Sequence, residues 1–180
     1  MTPYDWYTLK SIYSVDECSE ILKICENNKS STFADSPAPG KKANTYVVET
    51  HKFDNTLDRF FALVNEANNN YFGYDLFNER PLGINVNTYE NDLNEYPYHR
   101  DCNIPGTMCD SKITAILNIS PEPYKGGEFS MFFGEDRRVE EVDNIGSLLI
   151  FPSYLFHKVS PVISGKRITL STWLQGPNFK

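Results

Sequence analysis

Histidine is scarce in this chain: three residues in 180, His51, His99 and His157. Any imidazole-based metal or acid–base site must draw on those three. Cysteine offers little more. Cys18, Cys25, Cys102 and Cys109 form no Cys-x-x-Cys pair, and Cys18 and Cys25 lie on an expected helix, which suits buried free thiols better than a bridge. Positive charge is also short, with 17 Lys and Arg against 24 Asp and Glu and a net charge of -7. That balance leaves no electrostatic footprint for a nucleic-acid backbone, so no nucleic-acid partner is expected. No apolar run approaches a membrane span, and the opening MTPYDWYTLK lacks a signal-peptide pattern. The expectation is a reduced, cytoplasmic protein without a membrane partner. Its length suits a single domain, residues 1–180, with a real core.

The first half reads as helical. In SVDECSEILKICENN, Ser14 and Glu17 have capping-box spacing, and Val15, Cys18, Ile21, Leu22 and Cys25 share a helical face. The stretch KSSTFADSPAPGKKANT, residues 29–45, is rich in Ser, Pro, Gly and Lys and reads as a mobile loop. A second helix is predicted over 55–69, with Leu57, Phe60, Phe61, Val64 and Ala67 as its apolar stripe.

From residue 82 the period drops to two. Ile84 and Val86 alternate with Asn85 and Asn87; Ile113, Ala115, Leu117 and Ile119 alternate with Lys112, Thr114, Ile116 and Asn118. EFSMFF, GSLLIFP, FHKVSPV and RITLSTWLQ add short strands broken by Gly and Pro. Helices over about 1–80 followed by strands over about 82–175 predict an α+β fold, with helices packed on a sandwich or barrel.

Within EYPYHRDCNIPG stands His99-Arg100-Asp101, letters shared with the catalytic loop of protein kinases. That reading fails: the chain is too short for two lobes, has no downstream Asp-Phe-Gly, and carries Gly106 where the kinase Asn belongs. In an extended segment, residues i and i+2 point to one side. His99 and Asp101 can then reach one ion while Arg100 points away, and His157 is the candidate third ligand. Two imidazoles and one carboxylate form the facial set of non-haem Fe(II) oxygenases. Taken singly, each histidine is better explained as an ordinary surface or core residue. The segment beyond His157 shifts that balance. Arg167, Thr169, Ser171 and Trp173 share one strand face, opposite Ile168, Leu170 and Leu174. That polar face either looks at water or lines a barrel interior, where a planar guanidinium and hydroxyls would receive a carboxylate. Tyr89, on a face with Asn85 and Asn87, could offer its phenol to the same carboxylate.

The ordered set Tyr89, His99-x-Asp101, KITAILNIS, GGEF (126–129), GSLLIFPS, His157 and Arg167-x-Thr169 resembles the Fe(II)- and 2-oxoglutarate-dependent dioxygenases, in the prolyl 4-hydroxylase-like branch. The resemblance implies a double-stranded β-helix (jelly-roll) core with supporting helices. It also implies Fe(II) on His99, Asp101 and His157. Arg167 would bind the distal carboxylate of 2-oxoglutarate, helped by Tyr89 and by Thr169 or Ser171. O2 is the oxidant, with ascorbate as a supporting reductant, and succinate and CO2 are released. The substrate implied is a prolyl residue in a peptide or protein; a free amino acid or other small molecule is the alternative.

Tyr96 and Trp173 fall where prolyl hydroxylases keep aromatic residues near the substrate pocket, though plain packing explains either. Tyr98 is expected beside the metal. Arg100 and Arg138 could touch a peptide, but a solvated charge needs no such partner. The 29–45 loop lies where such enzymes carry a segment that closes over substrate. His51 is read as a surface residue. A metal-free binding module is disfavoured because all three ligands and the Arg are present. A zinc hydrolase would leave Arg167 and Tyr89 without a role.

Overall fold

A computed structural model describes residues 5–30, 40–90, 94–102 and 109–179. Its elements run β1 (Tyr7–Leu9), α1 (Val15–Asn27), β2 (Asn44–Glu49), α2 (Asp58–Ala67), β3 (Gly83–Tyr89), β4 (Tyr96–His99), β5 (Cys109–Asn118), β6 (Lys125–Gly126), β7 (Phe129–Phe132), β8 (Asp136–Arg138), β9 (Leu148–Pro152), β10 (His157–Val159), β11 (Val162–Ser164) and β12 (Arg167–Pro177). One sheet has the order β1-β9-β5-β12-β3-β2 and a second the order β4-β10-β7-β8, while β11 and β6 form a short ribbon. The strand pairs among the described residues are antiparallel. The fold is therefore a mixed α/β one with mostly antiparallel sheets and few helices. Among the described residues, no helix is long and apolar enough to cross a membrane.

Period-two alternation divides the larger sheet into two faces. Ile84, Val86, Ile113, Ala115, Leu117, Leu148, Ile150, Leu170 and Leu174 face α1 and α2 and join Cys18, Ile21, Phe60 and Val64 in one core. Burying each large apolar side chain contributes roughly 1.5–3 kcal/mol, so this helix-facing core anchors the sheet. The opposite phase, with Ile116, Leu149 and Phe151, packs on Phe129, Met131 and Val159 of the smaller sheet. Between the sheets the same phase also carries Asn87, Thr114, Arg167, Thr169 and Ser171, all buried. A polar interior at one end of an otherwise apolar layer is the first structural sign of a site.

The capping box forms as the spacing predicts: the Glu17 amide donates to Ser14 Oγ and the Ser14 amide to Glu17 Oε2. Val15, however, is 53% exposed. Cys18, Ile21 and Cys25 centre the buried face, and Val15 lies about 90° round the helix from it. The α2 stripe is buried as expected, but the helix is shorter than 55–69, with Leu57 as its N-cap. A π-helical turn, Asn68–Phe72, follows and ends at Gly73, whose φ of 71° places it in the left-handed region.

The helical reading of the first 80 residues missed two strands. β1 and β2 form the two edges of the larger sheet. β2 also overlaps the expected 29–45 loop. Its stability comes from pairing with β3, from Asn44 against Thr88 to Glu49 against Gly83, a partnership that local composition does not announce. Of the expected lid, residues 31–39 lie outside the described residues.

Candidate metal centre

The antiparallel pairing of β10 with β4 sets His157 directly against His99. Asp101 follows β4, its amide donating to the Ser153 carbonyl at 2.9 Å. One ligand atom from each of His99, Asp101 and His157 lies within 4.8 Å of the others. His99 Nδ1 sits 2.8 Å from the Pro97 carbonyl, and His157 Nδ1 sits 2.9 Å from the Leu155 carbonyl. A carbonyl only accepts, so each Nδ1 carries a proton, which leaves Nε2 as the ring nitrogen able to ligate. Those Nε2 atoms face the carboxylate, at 3.6 Å from Asp101 Oδ1 for His99 and 3.5 Å from Oδ2 for His157. Burial and the neighbouring His157 pull the His99 imidazole down to about 4, so it is neutral and able to ligate at ordinary pH. Thr114 Oγ1 donates to Asp101 Oδ2 at 2.7 Å and lies 2.9 Å from Ser153 Oγ. Together these contacts hold the carboxylate in place.

Deeper between the sheets, Arg167 is only 1% exposed, yet its Nε and Nη2 find no hydrogen-bond partner among the described residues. Its guanidinium carbon stands 5.6 Å from the Tyr89 ring centroid, and β12 pairs the two residues in register. Tyr89 is buried, which raises its phenol well above the usual range. Thr169 and Ser171 continue the same face towards the triad, with Asn87 Nδ2 donating to Ser171 Oγ at 3.0 Å. An unpaired buried charge costs several kcal/mol, so an anion is the natural complement of Arg167.

An inner chamber of about 40 Å³ joins Arg167, Tyr89, Thr169 and Ser171 to the triad. An outer groove of about 800 Å³ opens over the triad from the other side, and His99, Asp101, Tyr96 and Trp173 line both. The Tyr96 ring stacks on His99 with centroids 3.4 Å apart. Trp173 Nε1 is buried without a hydrogen-bond partner among the described residues. Arg100 lines the outer groove, its guanidinium carbon 4.1 Å from the Phe156 ring centroid.

Tyr98 corrects an expectation. Its hydroxyl is bonded to Asp136, its ring packs edge-on against Phe132, and Lys158 lies over it. It lines neither cavity, because strand alternation turns it to the outer face of the smaller sheet. Arg138 pairs with Asp143 away from the triad, and His51 is exposed beside Glu49. Three residues of the site were missed in the sequence: Thr114, Ser153 and Lys41. Thr114 had a usable signal, its inward phase on β5. Lys41, whose Nζ donates to Asn87 Oδ1 at 2.5 Å, had none.

The donor set fits a divalent transition metal, with two imidazoles, one carboxylate and both Nδ1 atoms tied to backbone. Arg167 Nε and Nη2, without partners among the described residues, fit the carboxylate of a cosubstrate. A family model described as the 2OG-Fe(II) oxygenase superfamily matches residues 84–175. A PKHD-type hydroxylase of Alteromonas mediterranea is 36% identical over 86 residues, which is 44% of this chain and 38% of that protein. The alignment thus spans well under half of that relative's length. The fold resembles a Pseudomonas putida prolyl-4-hydroxylase, with a TM-score of 0.70 and 18% identity over 97% of this chain and 94% of that one. It also resembles a Trichoplax adhaerens prolyl hydroxylase in complex with a hypoxia inducible factor peptide fragment, with a TM-score of 0.69 and 12% identity over 94% and 83% of the two chains. The family match covers just over half of the sequence and takes in the strands that carry the triad and Arg167; the chain belongs to the 2OG-Fe(II) oxygenase superfamily.

Proposed function

We propose that the chain is an Fe(II)- and 2-oxoglutarate-dependent dioxygenase that hydroxylates an unactivated C–H bond of a prolyl residue in a peptide or protein, releasing succinate and CO2. One observation carries this reading: a buried guanidinium with unpaired donors shares a chamber with two imidazoles and a carboxylate. That cation suits a cosubstrate that carries a carboxylate of its own beside the metal.

His99, Asp101 and His157 would hold Fe(II), and Arg167 with Tyr89, Thr169 and Ser171 would hold the distal carboxylate of 2-oxoglutarate. When bound, the metal and cosubstrate supply the oxidising power that activates O2 for C–H cleavage. The chain's own residues bind, orient and exclude water. Arg167 fixes one end of the cosubstrate through its planar fork. Thr114 keeps Asp101 facing the two Nε2 atoms. Ile116, Phe129 and Val159 give the inner chamber its apolar walls.

The outer groove supports a peptide rather than a small metabolite. It is far larger than the inner chamber, and its rim includes Pro81 and Leu82, the latter 82% exposed. Tyr96 and Trp173 would flank the target ring, and Arg100 would meet the flanking chain. We read the two facing sheets as a double-stranded β-helix within one domain, helices supporting the larger sheet. The buried thiols of Cys18 and Cys25 suit a reducing cytoplasm.

The test is incubation with Fe(II), 2-oxoglutarate, O2 and ascorbate against a panel of proline peptides, reading a one-oxygen mass gain alongside succinate. A peptide gaining oxygen in step with succinate is the expected result. Succinate coupled only to a free amino acid would move the substrate to the small-molecule class, and no succinate under any condition would overturn the reading.

A further inference from the structure

Two cations line the inner chamber among the described residues, Arg167 and Lys41. Lys41 is placed by its neighbours. Gly40 turns with φ of 77° against Pro97, and the Lys42 and Glu95 backbones exchange hydrogen bonds of 2.8 and 3.0 Å. Lys42 also pairs outward with Glu95 at 2.8 Å. The strand-like alternation therefore sends Lys41 inward, to Asn87 Oδ1 at 2.5 Å, with its Nζ 5.3 Å from the Tyr96 ring centroid. Asn87 pairs with Thr169, and Tyr89 with Arg167, so the Lys41 ammonium sits one inward step along β12 from Arg167, towards the triad.

Among the described residues neither cation is hydrogen-bonded to a carboxylate: Arg167 Nε and Nη2 find no partner, and the hydrogen-bond acceptor of Lys41 is a neutral amide. The chamber between them holds about 40 Å³, room for about three waters at ~10–15 Å³ each and too little for a dicarboxylate. Its walls must part for a ligand to enter. The movable wall is Lys41, because Asn87 Oδ1 keeps a second donor, Thr45 Oγ1 at 3.2 Å, when the lysine leaves.

We propose that Lys41 is a binding residue for 2-oxoglutarate, releasing Asn87 as the dicarboxylate enters and then pairing with the ligand, so that Lys41 and Arg167 clasp it from two sides. This rests on the dioxygenase reading above. Lys41 thereby also links the cosubstrate chamber to Tyr96, a wall of the substrate groove.

The experiment is calorimetric binding of 2-oxoglutarate to the Mn(II)-loaded protein under anaerobic conditions, with Mn(II) affinity measured separately. Lys41→Met keeps the aliphatic stem and removes the charge. It is expected to weaken 2-oxoglutarate binding on the order of tenfold to a hundredfold, the value of a charged hydrogen bond, with Mn(II) affinity unchanged. Lys41→Arg is expected to restore most of the loss. Wild-type affinity in Lys41→Met would overturn the assignment, as would a parallel loss of Mn(II) binding, which would mark a packing role. If the wild type itself bound Mn(II) but no 2-oxoglutarate, the dioxygenase reading would fall, and the lysine's role with it.

Discussion

His99 and His157 face each other across the β4–β10 pairing with ring centroids 4.1 Å apart and planes at 61°. Residues 58 positions apart in sequence thus share one carboxylate, Asp101, through their Nε2 atoms. Burial and the neighbouring His157 lower the His99 imidazole and so keep its lone pair available.

The first expectation concerns pH. In the metal-free protein His99 titrates near about 4, lowered by burial and then by His157, with Lys41 adding to the effect and Asp101 opposing it. Its unfolded value is about 6.5. Between those values the unfolded chain binds the extra proton, so stability falls as pH drops from about 6.5 towards about 4 and is insensitive to this group above that window. Thermal melts of metal-free wild type and His99→Gln should diverge in that window, with the wild type declining more steeply. Parallel curves would show that His99 titrates normally.

Arg167 trades stability for binding. Its buried guanidinium has donors without partners among the described residues. Arg167→Met is expected to raise the stability of the ligand-free protein by about 1–4 kcal/mol, as happens when buried charge gives way to apolar packing. The same change should abolish 2-oxoglutarate binding. Chemical denaturation together with calorimetry reads both, and a destabilised variant would show that Arg167 is already paired in the free protein.

Thr114 acts one step from the metal. Its hydroxyl donates to Asp101 Oδ2 at 2.7 Å. Thr114→Val keeps the shape of the side chain and removes the donor, and should weaken metal affinity by roughly 10–100-fold, measured with Co(II) or Mn(II). Unchanged affinity would mean that the Asp101–Ser153 backbone contact suffices to orient the carboxylate.

Gly146 tests the scaffold. It has φ of 73°, and an added Cβ would stand 1.9 Å from the Tyr13 carbonyl oxygen. Its own carbonyl accepts from the Ile12 amide at 2.8 Å, and its amide donates to the Asn118 carbonyl at 2.8 Å. Gly146→Ala is expected to cost at least about 1–3 kcal/mol, read as a lowered denaturation midpoint with an unchanged slope. A stability equal to wild type would show that this junction yields without strain.

Much of the site could be read along the chain because β-strands have a simple period. His99 with Asp101, and Arg167 with Thr169 and Ser171, are i, i+2 neighbours, so their common side follows from extended backbone alone. Tyr98, next to His99 in an extended strand, is turned to the opposite face by the same alternation, and its contact with Asp136 lies there. β2 carries strand-forming residues at Thr45, Tyr46, Val47 and Val48, but its partner β3 lies far along the chain, so its place at the sheet edge could not be read locally. Lys41 was unreadable, since a lysine in a Pro- and Gly-rich stretch looks solvated until its neighbours Lys42 and Glu95 are seen pinned together.

The sequence by itself determined that His99 shares a side with Asp101, that Arg167 shares one with Thr169 and Ser171, and that two helices precede the strand-rich half. Those are properties of local periodicity, which needs no knowledge of what packs against what. Only the tertiary structure decided that His157 meets His99, that the guanidinium of Arg167 is buried with donors to spare, and that Lys41 turns inward beside it. Each of these depends on strands distant in sequence pairing in a particular register, and that register is set by the whole packed sheet.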